Sequence, residues 1–189
     1  MNVLDVSDAV NLVPYAASMS SLHRSGFEAS KCINGDSTTG TNSNLCHTAG
    51  NGDRAPWLLL KFQDRVAVTR VVIYNRVNRR STTRNLEVRL TDELPTTGDR
   101  MYTGGQLLGT FKGPATKGQV ISVSGSAKIG RYVLIQMNNR QPLYFHEVSV
   151  FGRVSPGLSL GLMIYAPKKI EPGVPGVLFL IMMLRLMSK

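Results

Sequence analysis

Between residues 57 and 152 the apolar positions fall in short runs that alternate with polar ones. "LEVRL" at 86 to 90 sets Leu86, Val88 and Leu90 against Glu87 and Arg89, the period of two that marks a strand with one face in a core. Comparable runs are "WLLLKF" (57 to 62), "VAVTRVVIYN" (66 to 75), "QLLGTF" (106 to 111), "QVISVS" (119 to 124), "RYVLIQM" (131 to 137) and "FHEVSVFG" (145 to 152). Gly, Pro, Asn and Ser separate them. No window before residue 153 sustains the 3.6-residue period of a helix. Many short strands punctuated by turn residues predict an all-β fold, a jelly-roll β-sandwich with little helix.

From Ser155 onward the composition turns to Gly, Pro, Leu and Met, with prolines at 156, 167, 172 and 175. The predicted organisation is a short extension over 1 to 10, a β-sandwich domain over 11 to 153, and an irregular apolar tail over 154 to 189. The stretch "VPGVLFLIMMLRLMSK" runs about a dozen apolar residues to Arg185, short of the roughly 20 that cross a bilayer, so no transmembrane span is expected. "MNVLDVSDAV" lacks the basic and apolar regions of a secretory signal.

Composition adds charge to this picture. Lys and Arg number 22 against 12 Asp and Glu, a net charge of +10, which favours anionic partners. The excess is concentrated: residues 65 to 89 hold seven arginines (65, 70, 76, 79, 80, 84 and 89) and one acid, Glu87. Arg65, Arg70 and Arg89 read as solubilising an outward sheet face. Arg76 ends the "VVIYN" strand, where a jelly roll exposes its loops. A guanidinium there offers five donors in a rigid fork, suited to paired hydroxyls, sulfate or phosphate.

No HExxH, GxSxG, Walker or dinucleotide-binding motif occurs, and no carboxylate pair stands in an acid–base setting, so an enzyme is not expected. Nucleic-acid binding is not expected either, because the arginine stretch lacks interleaved exposed aromatics. Cys32 and Cys46 are 14 apart and flank one polar loop. They are read either as a single disulfide, contributing about 3 kcal/mol by loop entropy, or as two buried thiols.

Six segments, in order, carry a resemblance: "CINGD" (32 to 36), "CHT" (46 to 48), "APW" (55 to 57), "VTRVVIYNR" (68 to 76), "IGRYV" (129 to 133) and "HEVSVFG" (146 to 152). Together they resemble the fucolectin domain, a branch of the F5/8 type C, discoidin-like superfamily. The resemblance implies a jelly roll that binds terminal fucose at one end beside a structural calcium ion, in an extracellular protein. It implies that one histidine and two arginines donate to the sugar; His47 matches the histidine and Arg76 the first arginine. The second basic residue falls at Arg84, one place later than in the family and after Asn78 in place of an Asp, with Arg79 and Arg80 as substitutes. Ca2+ would be held through Asn34, Asp36, Asn44 and Glu147, several by backbone oxygen. The expected partners are fucosylated or anionic glycans. Weak single sites imply homo-oligomers or tandem copies, and an adhesion domain using its Arg-rich loops on anionic phospholipid or heparin-like glycan is the alternative function.

Overall fold

Residues 9–38, 44–50, 53–77, 83–95 and 100–155 are described by a computed structural model, and the remaining residues lie outside that description. Eight strands follow the chain: β1 (Val10–Leu12), β2 (Ala16–Met19), β3 (Cys46–His47), β4 (Trp57–Asn75), β5 (Leu86–Thr91), β6 (Gln106–Phe111), β7 (Val120–Met137) and β8 (Tyr144–Val154), with one 3-10 turn at Ala29–Cys32. Hydrogen bonding runs in the order β1-β8-β4-β7-β5-β6, with β2 on β4 and β3 on β8, and each of these pairs is antiparallel. The predicted jelly-roll β-sandwich is the architecture found.

Two pairs of predicted strands are each one continuous strand. β4 and β7 pair from Trp57↔Gln136 to Lys61↔Tyr132, shift register, resume at Val66↔Gly130 and continue to Tyr74↔Val120. The polar run Gln63 to Arg65 is an exposed corner within β4, at the register shift in its pairing with β7. It reads as a loop in the sequence because its side chains face water, while its backbone stays paired in direction. Gly130 and Gly152 sit beside this corner, where a Cβ on Gly130 would lie 2.6 Å from the Thr91 carbonyl oxygen and one on Gly152 only 2.0 Å from that of Ala67. Only a residue without a side chain permits that approach.

Inside, alternation does what it predicts. Leu86, Val88 and Leu90 enter the core with Leu58, Leu60, Ile73, Val133, Ile135 and Phe145, each fully buried apolar side chain contributing on the order of 1.5–3 kcal/mol. On the outer face Glu87 pairs with Arg89 at 2.9 Å, Arg65 forks onto Asp92 at 2.9 and 2.6 Å, and the Arg70 guanidinium lies 4.3 Å from the Phe151 ring centre. Arg65 and Arg70 are exposed as expected, whereas the Arg89 side chain is largely covered and also donates to the Thr103 and Gly104 carbonyls.

Folding β4 back on itself brings both of its ends to one end of the sandwich. Pro56 accepts from the Met137 amide and Asn85 from that of Asn138, while Thr83 donates to the Asn75 side chain at 3.1 Å. The chain enters and leaves near the other end, where the Ser155 amide bonds the Arg65 carbonyl. Among the described residues no helix is long and apolar enough to cross a membrane. The predicted tail beyond Ser155 lies outside the described residues.

Candidate functional site

The loops at the first end converge on β3 and the start of β8. His47 pairs with Tyr144 across these strands. Its backbone amide donates to Phe27 and its carbonyl accepts from His23, each at 3.0 Å, so the segment 23 to 27 is strapped over the imidazole. The half-buried ring lies 4.4 Å from His23, 5.1 Å from Tyr144 and 5.9 Å from Phe27, centre to centre.

Two guanidiniums flank this stack. Arg76 follows the last residue of β4, and its Cζ lies 5.0 Å from the Tyr144 ring centre; Arg24 stands 5.2 Å over Phe27. Two side chains 29 positions apart in sequence, His47 and Arg76, thus share one aromatic floor. Tyr144 is buried beneath them. Asn75, buried just before Arg76, fixes the strand end by donating to the Thr116 carbonyl at 2.8 Å.

The His47 Nδ1 contacts the Thr48 carbonyl at short range. A carbonyl can only accept, so Nδ1 carries the proton and the neutral ring presents Nε2 as an acceptor. Burial, more than the neighbouring His23, Arg76 and Arg24, holds the His47 pKa below the ordinary imidazole value against the opposing Thr48 hydrogen bond. The donor role implied for this histidine therefore belongs to its charged form. At neutral pH the ring accepts.

The other expected sugar residues separate. Arg84 is exposed beyond Thr83, with its carbonyl held by the Asn139 amide at 2.9 Å, and it has no described contact with the His47 stack. Arg79 and Arg80 lie outside the described residues, as does Asn78. His23, Arg24, Phe27 and Tyr144 belong to the stack without having been singled out from sequence. The segment "HRSGF" carries no alternation or motif, and only the β3 pairing shows where it lands.

The four expected calcium residues gather on one loop and the strand beneath it. Asn34 donates to the Asn44 side-chain oxygen at 2.6 Å, Asn44 donates to the Asp36 carbonyl at 3.1 Å, and the Asp36 amide donates to the Asn34 side chain at 2.9 Å. Glu147 is buried on β8 below them, and its Oε2 has no hydrogen-bond partner. Burial pushes its pKa up to about 7 although the Gly35 and Asn34 amides favour the charged form, and the Asp36 carboxylate nearby raises it further. A buried carboxylate oxygen left without a donor is costly unless a proton or a cation meets it. Two carboxylates and two amide oxygens are the donor chemistry a hard divalent cation takes, so these residues fit calcium. A cavity of about 60 Å³ beside Glu147 is bounded by Asn11, Leu12, Ile33, Gly35 and Ser149.

Cys32 and Cys46 form a disulfide, with Cα atoms 5.4 Å apart. It closes the loop that carries Asn34, Asp36 and Asn44 at its base and ends at the residue before His47. A larger cavity of about 240 Å³, among Tyr15, Phe62, Gln63, Arg131 and Tyr132, lies at the β4 corner and shares no lining residue with the His47 stack or with the loop above Glu147.

No protein-family model and no curated protein matches the chain. Several solved structures do. A fucolectin from striped bass (Morone saxatilis) serum aligns with TM-score 0.63 and 20% identity, over 72% of this chain and 46% of that one; this chain therefore spans less than half of that protein. A Streptococcus pneumoniae fucose binding module aligns with TM-score 0.60 and 21% identity over 77% and 96% of the two chains. The lectin domain of Lectinolysin, complexed with Lewis B antigen, gives TM-score 0.58 and 25% identity over 72% and 92%. With its strand order and its loops gathered at one end, this chain has the galactose-binding-like, discoidin-like β-sandwich fold that those lectin domains share.

Proposed function

We propose that the protein is a non-enzymatic carbohydrate-binding module that takes a terminal fucose or related sugar at the His47–Arg76 rim, with Ca2+ as a structural ion in the adjoining loop. One observation carries this reading: imidazole and guanidinium are seated on the same ring, Tyr144, at 5.1 and 5.0 Å. The neutral His47 Nε2 accepts a hydrogen bond from a sugar hydroxyl, and Arg76 donates to neighbouring hydroxyl or ring oxygens. An acceptor and a forked donor on a fixed floor discriminate among hydroxyl configurations. The half-buried setting limits competition from water. That a fucolectin, a fucose binding module and a lectin domain complexed with Lewis B antigen have this fold supports the class.

Asp36, Glu147, Asn34 and Asn44 would hold the ion, which supplies positive charge between two carboxylates and stiffens the loop. Asp36 and Glu147 anchor its two sides. The disulfide then transmits that rigidity to His47 through Cys46. Secretion agrees with the bond, since oxidising compartments preserve disulfides. A monosaccharide offers few contacts, so single-site binding is weak, near 1 mM or about −4 kcal/mol, and useful avidity comes from linked copies.

Calorimetric titration of L-fucose into the calcium-loaded protein, repeated with a chelator, tests sugar and ion together. Saturable heat that weakens on chelation is expected. Absence of heat from folded, calcium-loaded protein would overturn the reading.

A further inference from the structure

The pairing of β4 with β7 breaks at the β4 corner. Lys61↔Tyr132 is followed by Val66↔Gly130, so residues 62 to 65 on β4 stand opposite Arg131 alone on β7. Extra residues on one strand bend it and re-aim its side chains, and here they border a cavity of about 240 Å³ among Tyr15, Phe62, Gln63, Arg131 and Tyr132. Tyr15 is held at its edge just before β2, where its amide donates to the Lys61 carbonyl at 3.0 Å.

The lining combines aromatic faces with open polar groups. Phe62 is buried, Tyr132 is half-buried, and Tyr15, Gln63 and Arg131 are exposed. Among the described residues the side chains of Tyr15, Gln63, Arg131 and Tyr132 make no hydrogen bond or ion pair. The guanidinium donates, while the Gln63 amide and the tyrosine hydroxyls both donate and accept. A saccharide ring answers both features, with C–H surface for the aromatic faces and hydroxyls that donate and accept. A small anion would engage Arg131 and leave the tyrosine rings without a partner; a flat aromatic ligand would do the reverse. At about 240 Å³ the cavity is below the roughly 300–1,000 Å³ of sites for drug-sized ligands, a size for one sugar ring.

We propose that this cavity is a second saccharide site, taking a single pyranose ring against Tyr15 and Tyr132 with hydrogen bonds from Arg131 and Gln63. It shares no residue with the His47–Arg76 rim and does not depend on the rim being a sugar site. Five strand residues, about 16 Å of strand, separate Phe62 from Trp57 and Tyr132 from Met137, so one ring cannot occupy both places. With two sites a single chain is bivalent, and avidity for a glycan surface does not require an oligomer.

The test is amide NMR of the calcium-loaded full chain, which reads each site separately, while D-galactose, N-acetyl-D-glucosamine and L-fucose are titrated in turn to about 20 mM, well above the ~1 mM dissociation constant of a ligand with few contacts. At least one sugar should give saturable shifts at Phe62, Gln63, Arg131 and Tyr132 that persist in His47→Ala. Arg131→Ala should weaken that binding about tenfold, the loss of a charged hydrogen bond, and Tyr15→Ala about fivefold, the loss of one aromatic face. Both positions are exposed, so cooperative melting should persist. No saturable shift at the cavity with any of the three sugars would overturn the second site, and shifts around His47 and Arg76 in the same titrations would leave the first standing. Shifts at the cavity alone would support this inference and count against the rim. Cavity binding unmoved by both Arg131→Ala and Tyr15→Ala would overturn the assignment of these residues, and cavity shifts with indole or acetate but with none of the sugars would overturn the ligand class.

Discussion

Arginines on the sheet face and arginines at the rim are the same residue put to opposite uses. Arg65 and Arg89 are each matched to a carboxylate within 3 Å, and Arg70 covers Phe151. Those groups neutralise or shield charge where a strand only needs solubility. At the rim, Arg24 and Arg76 stand on aromatic rings that converge on a half-buried imidazole. Aromatic seating alone does not separate the two groups, since Arg70 lies over Phe151 within β4; Arg24 and Arg76 differ in standing beside a half-buried imidazole.

Substitutions can break that contrast. His47→Ala or Arg76→Ala should weaken fucose binding by about 30-fold or more, the loss of a hydrogen bond to a charged or half-buried group, while circular dichroism and cooperative melting persist. Arg70→Ala and Arg89→Ala should leave the dissociation constant within about twofold. If the sheet-face variants lost affinity as the rim variants did, the contrast would be meaningless.

The proposed calcium ion and the disulfide each predict a response of the loop beside the rim. Calcium at a hundred times its dissociation constant should raise unfolding stability by about 2.7 kcal/mol, read as a calcium-dependent rise in Tm. Glu147→Gln should remove most of that rise, because a carboxylate oxygen with no donor becomes an amide. Replacing Cys32 and Cys46 together by Ser should cost about 3 kcal/mol, measured by denaturant unfolding. At the opposite end, Gly152→Ala should cost about 1–3 kcal/mol by crowding Ala67, lowering Tm while the folded fraction keeps its sugar affinity.

Acidification should have the smallest and most selective effect. Burial lowers the His47 pKa, so the unfolded chain binds this proton more readily than the folded one. The associated stability is complete above the unfolded imidazole value and is lost as pH falls through the lower folded value. Sugar affinity should follow the neutral ring: constant from pH 8 to about 6.5, then falling. A decline beginning above pH 7 would contradict the acceptor assignment.

Much of the fold was legible because alternation and burial are the same fact in a sandwich: Leu86, Val88 and Leu90 read as core and are core. Where both faces are covered the signal fails. His146 and Glu147 are buried beside Asn34, Gly35, Asp36 and Asn44, and no period distinguishes that from a sheet interior. The corner at Gln63 to Arg65 misled for the converse reason, since a solvated strand looks like a loop. Short β1, β2 and β3 offer three, four and two residues, too few to show a period. That His47 and Arg76 come together was expected from resemblance to a family motif, and both lie against Tyr144. His23, Arg24 and Phe27 were not, because their place depends on β3 pairing with β8 over a separation of about a hundred residues.

The most direct measurement is the side-chain nitrogen NMR spectrum of His47, assigned with His47→Gln among the three histidines and followed as fucose is added at pH 7.5. The account predicts a protonated Nδ1, an unprotonated Nε2, and a saturable shift of the Nε2 signal on binding, absent from the spectrum of Arg76→Ala at the same sugar concentration. An Nε2 signal unmoved while calorimetry shows the sugar bound would contradict it.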